Sequence, residues 1–108
     1  MIFTVDKKKN YYVQCAGSKS STTVVCEAVS NEYLEPTWRL SETQIGRLLS
    51  LGWKSPNSKE PQGHPNFHRE WEAMSDADRL RVANVLMDTL EVYGFSRSQK
   101  LDIDLGLE

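Results

Sequence analysis

A chain of 108 residues with 39% apolar and 26% charged side chains has the length of one domain, enough apolar surface for a core, and too much of it to stay disordered. A formal net charge of -2 provides no basic field for a phosphate backbone, which argues against nucleic acid as a partner. No apolar run approaches the ~20 residues of a membrane-spanning helix, and in Met1 to Lys9 the charges follow the short apolar stretch, the reverse of a signal peptide; we expect a cytoplasmic single domain over residues 1–108.

In chain order, Ile2-Phe3-Thr4-Val5, Tyr11 to Ala16 and Thr22 to Val29 are rich in β-branched and aromatic residues, separated by Lys7 to Asn10 and Gly17 to Ser21. Punctuation that short predicts hairpins, so the first thirty residues read as a three-stranded antiparallel meander. At period two, Tyr11, Val13 and Cys15 share one face of the second strand, and in the third Val25, Glu27 and Val29 oppose Val24, Cys26 and Ala28. Both faces therefore carry apolar groups: helices can cover one, and the remainder on the other invites a partner. Lys7, Lys8 and Lys9 form the basic cluster of the chain and read as a solvated hairpin tip. Cys15 and Cys26 read as two small buried thiols in a reducing compartment, although a tight turn at Ser20 and Ser21 would set them face to face for a disulfide.

Ser30 to Leu40 is a connection broken by Pro36, with Tyr33, Leu34 and Trp38 as anchors to the body. Ser41 with Gln44 three residues on is a capping box, Ile45, Leu48 and Leu49 fall on one face, and Leu51-Gly52-Trp53 is a stop, which predicts a short helix from Ser41 to Leu51. Lys54 to Pro65, with three prolines and Gly63, is irregular and expected to be mobile; Asn66 to Trp71 alternates as a further strand. Ser75 to Tyr93 is the long helix: Ser75 and Asp78 cap it, Gly94 ends it, and Leu80, Ala83, Leu86, Met87, Leu90 and Tyr93 make an apolar stripe. The tail from Ser96 alternates at Leu101, Ile103 and Leu105 and reads either as an edge strand or as a loose end over 95–108.

His64, His68 and Glu70 hold the residue types of a general base or metal site. With Cys15 and Cys26 the histidines match the donors of structural zinc, but the cysteine spacing far exceeds the ~2 to 4 intervening residues of a zinc knuckle, so no metal or other cofactor is expected. No serine stands in a Gly-x-Ser-x-Gly elbow and no glycine-rich phosphate loop follows a strand. Glu27 falls among Val25 and Val29, where burial without a partner would raise its pKa. Trp38, Trp53 and Trp71 each adjoin a Pro- or Gly-containing loop and serve either as core anchors or as an exposed aromatic patch for a peptide.

In order, Tyr12-Val13-Gln14, Glu27 to Asn31 with Tyr33-Leu34, Leu40-Ser41 with Gln44, Leu51-Gly52-Trp53 with Pro56, Pro65-Asn66-Phe67 with Arg69 and Trp71, and Thr89-Leu90 with Val92-Tyr93-Gly94 form a pattern over Tyr11 to Phe95. This pattern resembles the TY-Chap group of bacterial domains, small α+β domains similar to type III secretion chaperones and YbjN-like proteins. The resemblance implies a chaperone role associated with type VII-like secretion, and a helix ahead of the first strand. Here the sequence opens at once with Ile2 to Val5, so a sheet face is expected to stand open to a second copy or a client. The expected architecture is α+β: an antiparallel sheet of three to five strands, the long C-terminal helix on one face and the short helix at its side. The expected function is non-enzymatic binding of a protein or peptide segment through Val25, Tyr33, Trp38, Trp53, Phe67 and Trp71, driven by apolar burial and nearly insensitive to modest salt. An immunity or regulatory protein that blocks a toxin would share this physics, while a small metal-dependent hydrolase would use His64, His68 and Glu70.

Overall fold

The computed structural model describes residues 1–17, 22–57, 64–72, 75–98 and 101–104. Strands β1 (Ile2–Asp6), β2 (Tyr11–Ala16), β3 (Thr23–Ala28), β4 (Phe67–Glu72) and β5 (Asp102–Asp104) form one antiparallel sheet in the order β4-β3-β2-β1-β5. Helix α1 (Glu42–Ser50) lies between β3 and β4 in the chain, and α2 (Asp76–Val92) between β4 and β5. The expected α+β class and meander are both present. Of the two readings left open for the tail, the edge strand is the one formed, with Ile103 opposite Phe3. The turn at Ser20 and Ser21, Pro61 and Gly63 of the irregular segment, and Leu105 lie outside the described residues.

Each local element follows from its punctuation. Asn10 takes a φ of 64° in the β1–β2 turn, which an asparagine tolerates, and Asp6 accepts from the Lys9 backbone N–H at 3.1 Å. At the start of α1, Ser41 Oγ accepts from Gln44 N at 3.2 Å and Gln44 Oε1 accepts from Ser41 N at 2.8 Å. The Gln44 amide then donates to Val92 O at 3.1 Å, tying the first turn of α1 to the last turn of α2. Gly52, at φ 98°, closes α1 by letting Trp53 N reach back to Leu48 O at 3.2 Å; Gly94, at φ 95°, lets Phe95 N reach Leu90 O at 3.0 Å. Asn31 acts as a one-residue strand: Leu40 N donates to its Oδ1 at 2.6 Å and its Nδ2 donates to Leu40 O at 3.2 Å.

Both helices pack on the sheet face that carries Val13, Cys26, Ala28 and Phe67, and the core gathers there with Leu48, Trp53, Leu90 and Tyr93. The buried stripe of α2 differs from the expected one. Leu80 is 63% exposed and Ala83 is exposed, whereas Val82 and Thr89 are buried. The sequence of α2 supports two overlapping stripes at helical spacing, and packing selects the one through Val82, Leu86, Thr89, Leu90 and Tyr93. Burial of Thr89 is inexpensive because its hydroxyl donates to Val85 O at 2.7 Å.

The β2–β3 register sets Cys15 directly opposite Cys26 with Cα atoms 4.1 Å apart, and the two are joined in a disulfide. This corrects the expectation of two free thiols. The same register is the one a tight turn at Ser20 and Ser21 would impose.

Candidate functional site

The helices leave the second face of the sheet open, and its side chains line up across four strands. Ile2 on β1 is in register with Gln14 on β2, Gln14 with Glu27 on β3, and Glu27 with His68 on β4. A neighbouring row runs from Ala16 to Val25 to Glu70. Alternation puts these residues on the face opposite the core. Ile2 is 36% and Val25 40% exposed, in a sheet whose inner valine, Val13, is 0% exposed.

The polar members of the row hold one another. Gln14 Nε2 donates to Glu27 Oε2 at 2.9 Å, and His64 Nδ1 lies 3.9 Å from Glu27 Oε1. The His64 ring stacks on that of His68 with centroids 4.1 Å apart and planes inclined by 22°. A backbone bridge steadies this corner: Lys54 N donates to His68 O at 2.9 Å and His68 N to Lys54 O at 3.2 Å. Below it, Asn66 Oδ1 accepts from Ser30 N at 3.0 Å and Ser30 Oγ donates to Pro65 O at 2.6 Å, so the turn before β4 is fastened to the end of β3. At the far end of β4, Thr22 and Thr23 hydroxyls donate to the Glu72 carboxylate at 2.8 and 2.7 Å. Those two bonds hold the Glu72 pKa below its ordinary value, so its charge persists.

A shallow groove of about 350 Å³ follows the open face past Ile2, Gln14, Ala16, Val25 and Glu27. It continues along β1 and β2 into a second depression of about 250 Å³ lined by Thr4, Tyr12 and Lys7 and sharing Ile2 and Gln14 with the first. A third cavity, of about 510 Å³, opens on the helix side between Phe3, Val24 and Leu86.

The residues singled out from sequence are dispersed. Val25 stands on the open face. Tyr33 is 49% exposed in the 3-10 turn Asn31–Tyr33, where its carbonyl accepts from Asn10 Nδ2 at 3.2 Å. Trp38 is half-buried beneath the Lys9 ammonium, 4.7 Å from its ring centroid, so Lys9 is a packed side chain rather than part of a bare hairpin tip. Trp53 and Phe67 are 2% exposed and build the core. Trp71 is half-buried, set edge-on to Trp53 at 5.8 Å and faced by the Arg69 guanidinium at 4.5 Å. These six residues form no single patch.

His64 and His68 do come together, but the carboxylate that His64 faces is Glu27, while Glu70 pairs in register with Val25. Among the described residues no three His, Cys, Asp or Glu side chains are grouped to hold a metal ion. Ile2 and Gln14 escaped sequence reasoning. For Gln14 the signal was the turn centre between β2 and β3, which fixes it against Glu27 just as it fixes Cys15 against Cys26; for Ile2 the β1–β2 register carries a shift between Thr4 and Asp6 that the sequence does not announce.

The family model for T3SS (YopN, CesT) and YbjN peptide-binding chaperone 3, TY-Chap3, matches residues 2–105 of this chain. No curated protein and no solved structure matches it. No helix among the described residues is long and apolar enough to cross a membrane.

Proposed function

The chain belongs to the TY-Chap3 family of peptide-binding chaperones, and from that membership we propose that it is a non-enzymatic module holding an extended or helical segment of a client protein against the open face of its sheet. The observation that carries this reading is the row Ile2, Gln14 and Glu27 with exposed Val25 beside it, uncovered by either helix. Side chains supply the contact there, because the sheet's backbone groups are already paired along the ladder. Burying Ile2 and Val25 contributes roughly 25 cal/mol for each Å² of apolar surface removed from water. Trp53, Phe67 and Trp71 support the sheet from behind, as does Trp38, whose carbonyl accepts from the Tyr11 hydroxyl on that side.

In a cytoplasmic setting, where a client segment is met before export, the Cys15–Cys26 bond faces a reducing pool. Oxidised and reduced protein are therefore both worth assaying. The test is capture from a native lysate followed by mass spectrometry, with the wild type and Val25→Ser compared at equal folding by circular dichroism. The reading predicts proteins retained by the wild type and lost by the variant. Identical capture by both would move the contact elsewhere.

A further inference from the structure

Building on the peptide-holding role proposed above, we propose that the segment held on the open face is cationic as well as apolar. It sets aliphatic side chains on Ile2 and Val25 and lysine or arginine side chains against Glu27, Glu70 and Glu72. The apolar element is the groove itself, with Ile2 and Val25 two strands apart, roughly 10 Å at the spacing of neighbouring strands. The charged element is the pattern around it. Glu27 lies in the groove with one carboxylate oxygen held by Gln14 and the other 3.9 Å from His64 Nδ1. Glu70 is exposed and in register with Val25, and Glu72 is in register with Thr23. Of the positive groups, Met1 lines the groove with its ammonium donating to Cys15 O at 2.9 Å, and Lys7 lines the opposite end, by the β1–β2 turn.

Charge chooses among the occupants. A second copy docking face to face about a two-fold axis along the groove would bring its glutamates near those of its partner, and like charges at an interface cost affinity; an axis across the groove would set Lys7 against Glu27, Glu70 and Glu72, one cation for three carboxylates. Acidic segments are disfavoured for the same reason. A cationic segment gains attraction at the carboxylates while its aliphatic side chains fill the groove, and the electrostatic share of its binding is screened by salt. The near-insensitivity to salt expected from apolar burial alone is thereby replaced by a measurable dependence.

The test uses three fluorescein-labelled peptides of about twelve residues, long enough to cross the sheet at ~3.3 Å per residue. They repeat Leu-Ser-Lys-Ser, Leu-Ser-Gln-Ser or Leu-Ser-Glu-Ser, so that the apolar and varied residues share one face of an extended chain. Fluorescence anisotropy at low salt should show the lysine peptide binding about tenfold more tightly than the glutamine peptide, with the glutamate peptide weakest, and the gap should narrow to about threefold in high salt. Glu27→Gln with Glu70→Gln should close the same gap without affecting the glutamine peptide, and Val25→Ser should weaken lysine and glutamine peptides alike. Equal binding of all three peptides would overturn the charge preference while leaving the peptide-holding role standing, provided Val25→Ser still weakens them. A lysine preference untouched by the glutamate variants, or binding untouched by Val25→Ser, would place the segment elsewhere and overturn the proposal. If no peptide binds, the proposal also fails; sedimentation showing a dimer broken by Val25→Ser would then identify a second copy as the occupant.

Discussion

The Trp53 indole donates its Nε1–H to Thr89 Oγ1 at 2.8 Å, and the Thr89 hydroxyl passes its own proton on to Val85 O at 2.7 Å. This buried chain joins the residue that closes α1 to the last turn of α2, and both side chains are almost wholly removed from water. Thr89→Val keeps the shape and removes the acceptor, leaving a buried indole N–H unpaired. It should destabilise the fold by about 1–3 kcal/mol, read as a lower denaturant midpoint at unchanged slope.

Gly52 and Gly94 share a left-handed backbone, at φ 98° and 95°, but not the same surroundings. A Cβ on Gly52 would lie within 2.8 Å of the Arg69 guanidinium carbon, whereas one on Gly94 would meet nothing within 4 Å. That guanidinium also donates to Leu51 O, the carbonyl at the end of α1. Gly94→Ala should therefore cost about 1 kcal/mol, the conformational price alone. Gly52→Ala should cost clearly more, because it also displaces Arg69 from the helix end it caps. Paired chemical denaturation of the two variants checks the difference.

These two sites show where sequence is informative and where it is not. The Ser41–Gln44 box, the Ser75–Asp78 box and both glycine stops are local, within a few residues of the helix ends they serve, and all were legible. The Gln44 bond to Val92 and the Trp53 bond to Thr89 span 48 and 36 residues, and nothing in a polar-looking threonine announces that it is core. The α2 stripe failed for a related reason: Leu80 is more apolar than Thr89, yet only the stripe through Thr89 meets Trp53. At the open face, parity along each strand was readable, but the placing of His64 and His68 beside Glu27 depends on β4 docking antiparallel to β3, a long-range choice.

The disulfide between Cys15 and Cys26 closes a short loop across the β2–β3 hairpin. Reduction should lower stability by about 2–4 kcal/mol without changing the fold. Thermal melts with and without dithiothreitol, together with circular dichroism of the reduced protein at 25 °C, check both parts; no change in the midpoint would mean that the packed hairpin alone holds this corner.

Tyr93 donates its phenol to Val29 O at 2.6 Å in the core, and burial, reinforced by neighbouring Tyr12 and Tyr11, pushes its pKa well above the ordinary tyrosine value. The unfolded chain releases this proton near pH 10 while the folded chain retains it. The stabilisation from this group is therefore complete below about pH 10 and falls as pH rises beyond it. Of the four tyrosines, Tyr93 should be the last to ionise in an ultraviolet titration, its absorbance change coinciding with unfolding. Tyr93→Phe should remove that late step and cost about 1–2 kcal/mol at neutral pH, since the Val29 carbonyl is left without its donor.

The most direct test of a client held on the open face is a nitrogen–proton NMR titration of labelled protein with the Leu-Ser-Lys-Ser peptide. The account predicts that the largest shifts fall on Ile2, Gln14, Val25 and Glu27, with α1 and α2 nearly still. Shifts concentrated on α2 around exposed Leu80, or in the crevice by Phe3 and Leu86, would contradict it.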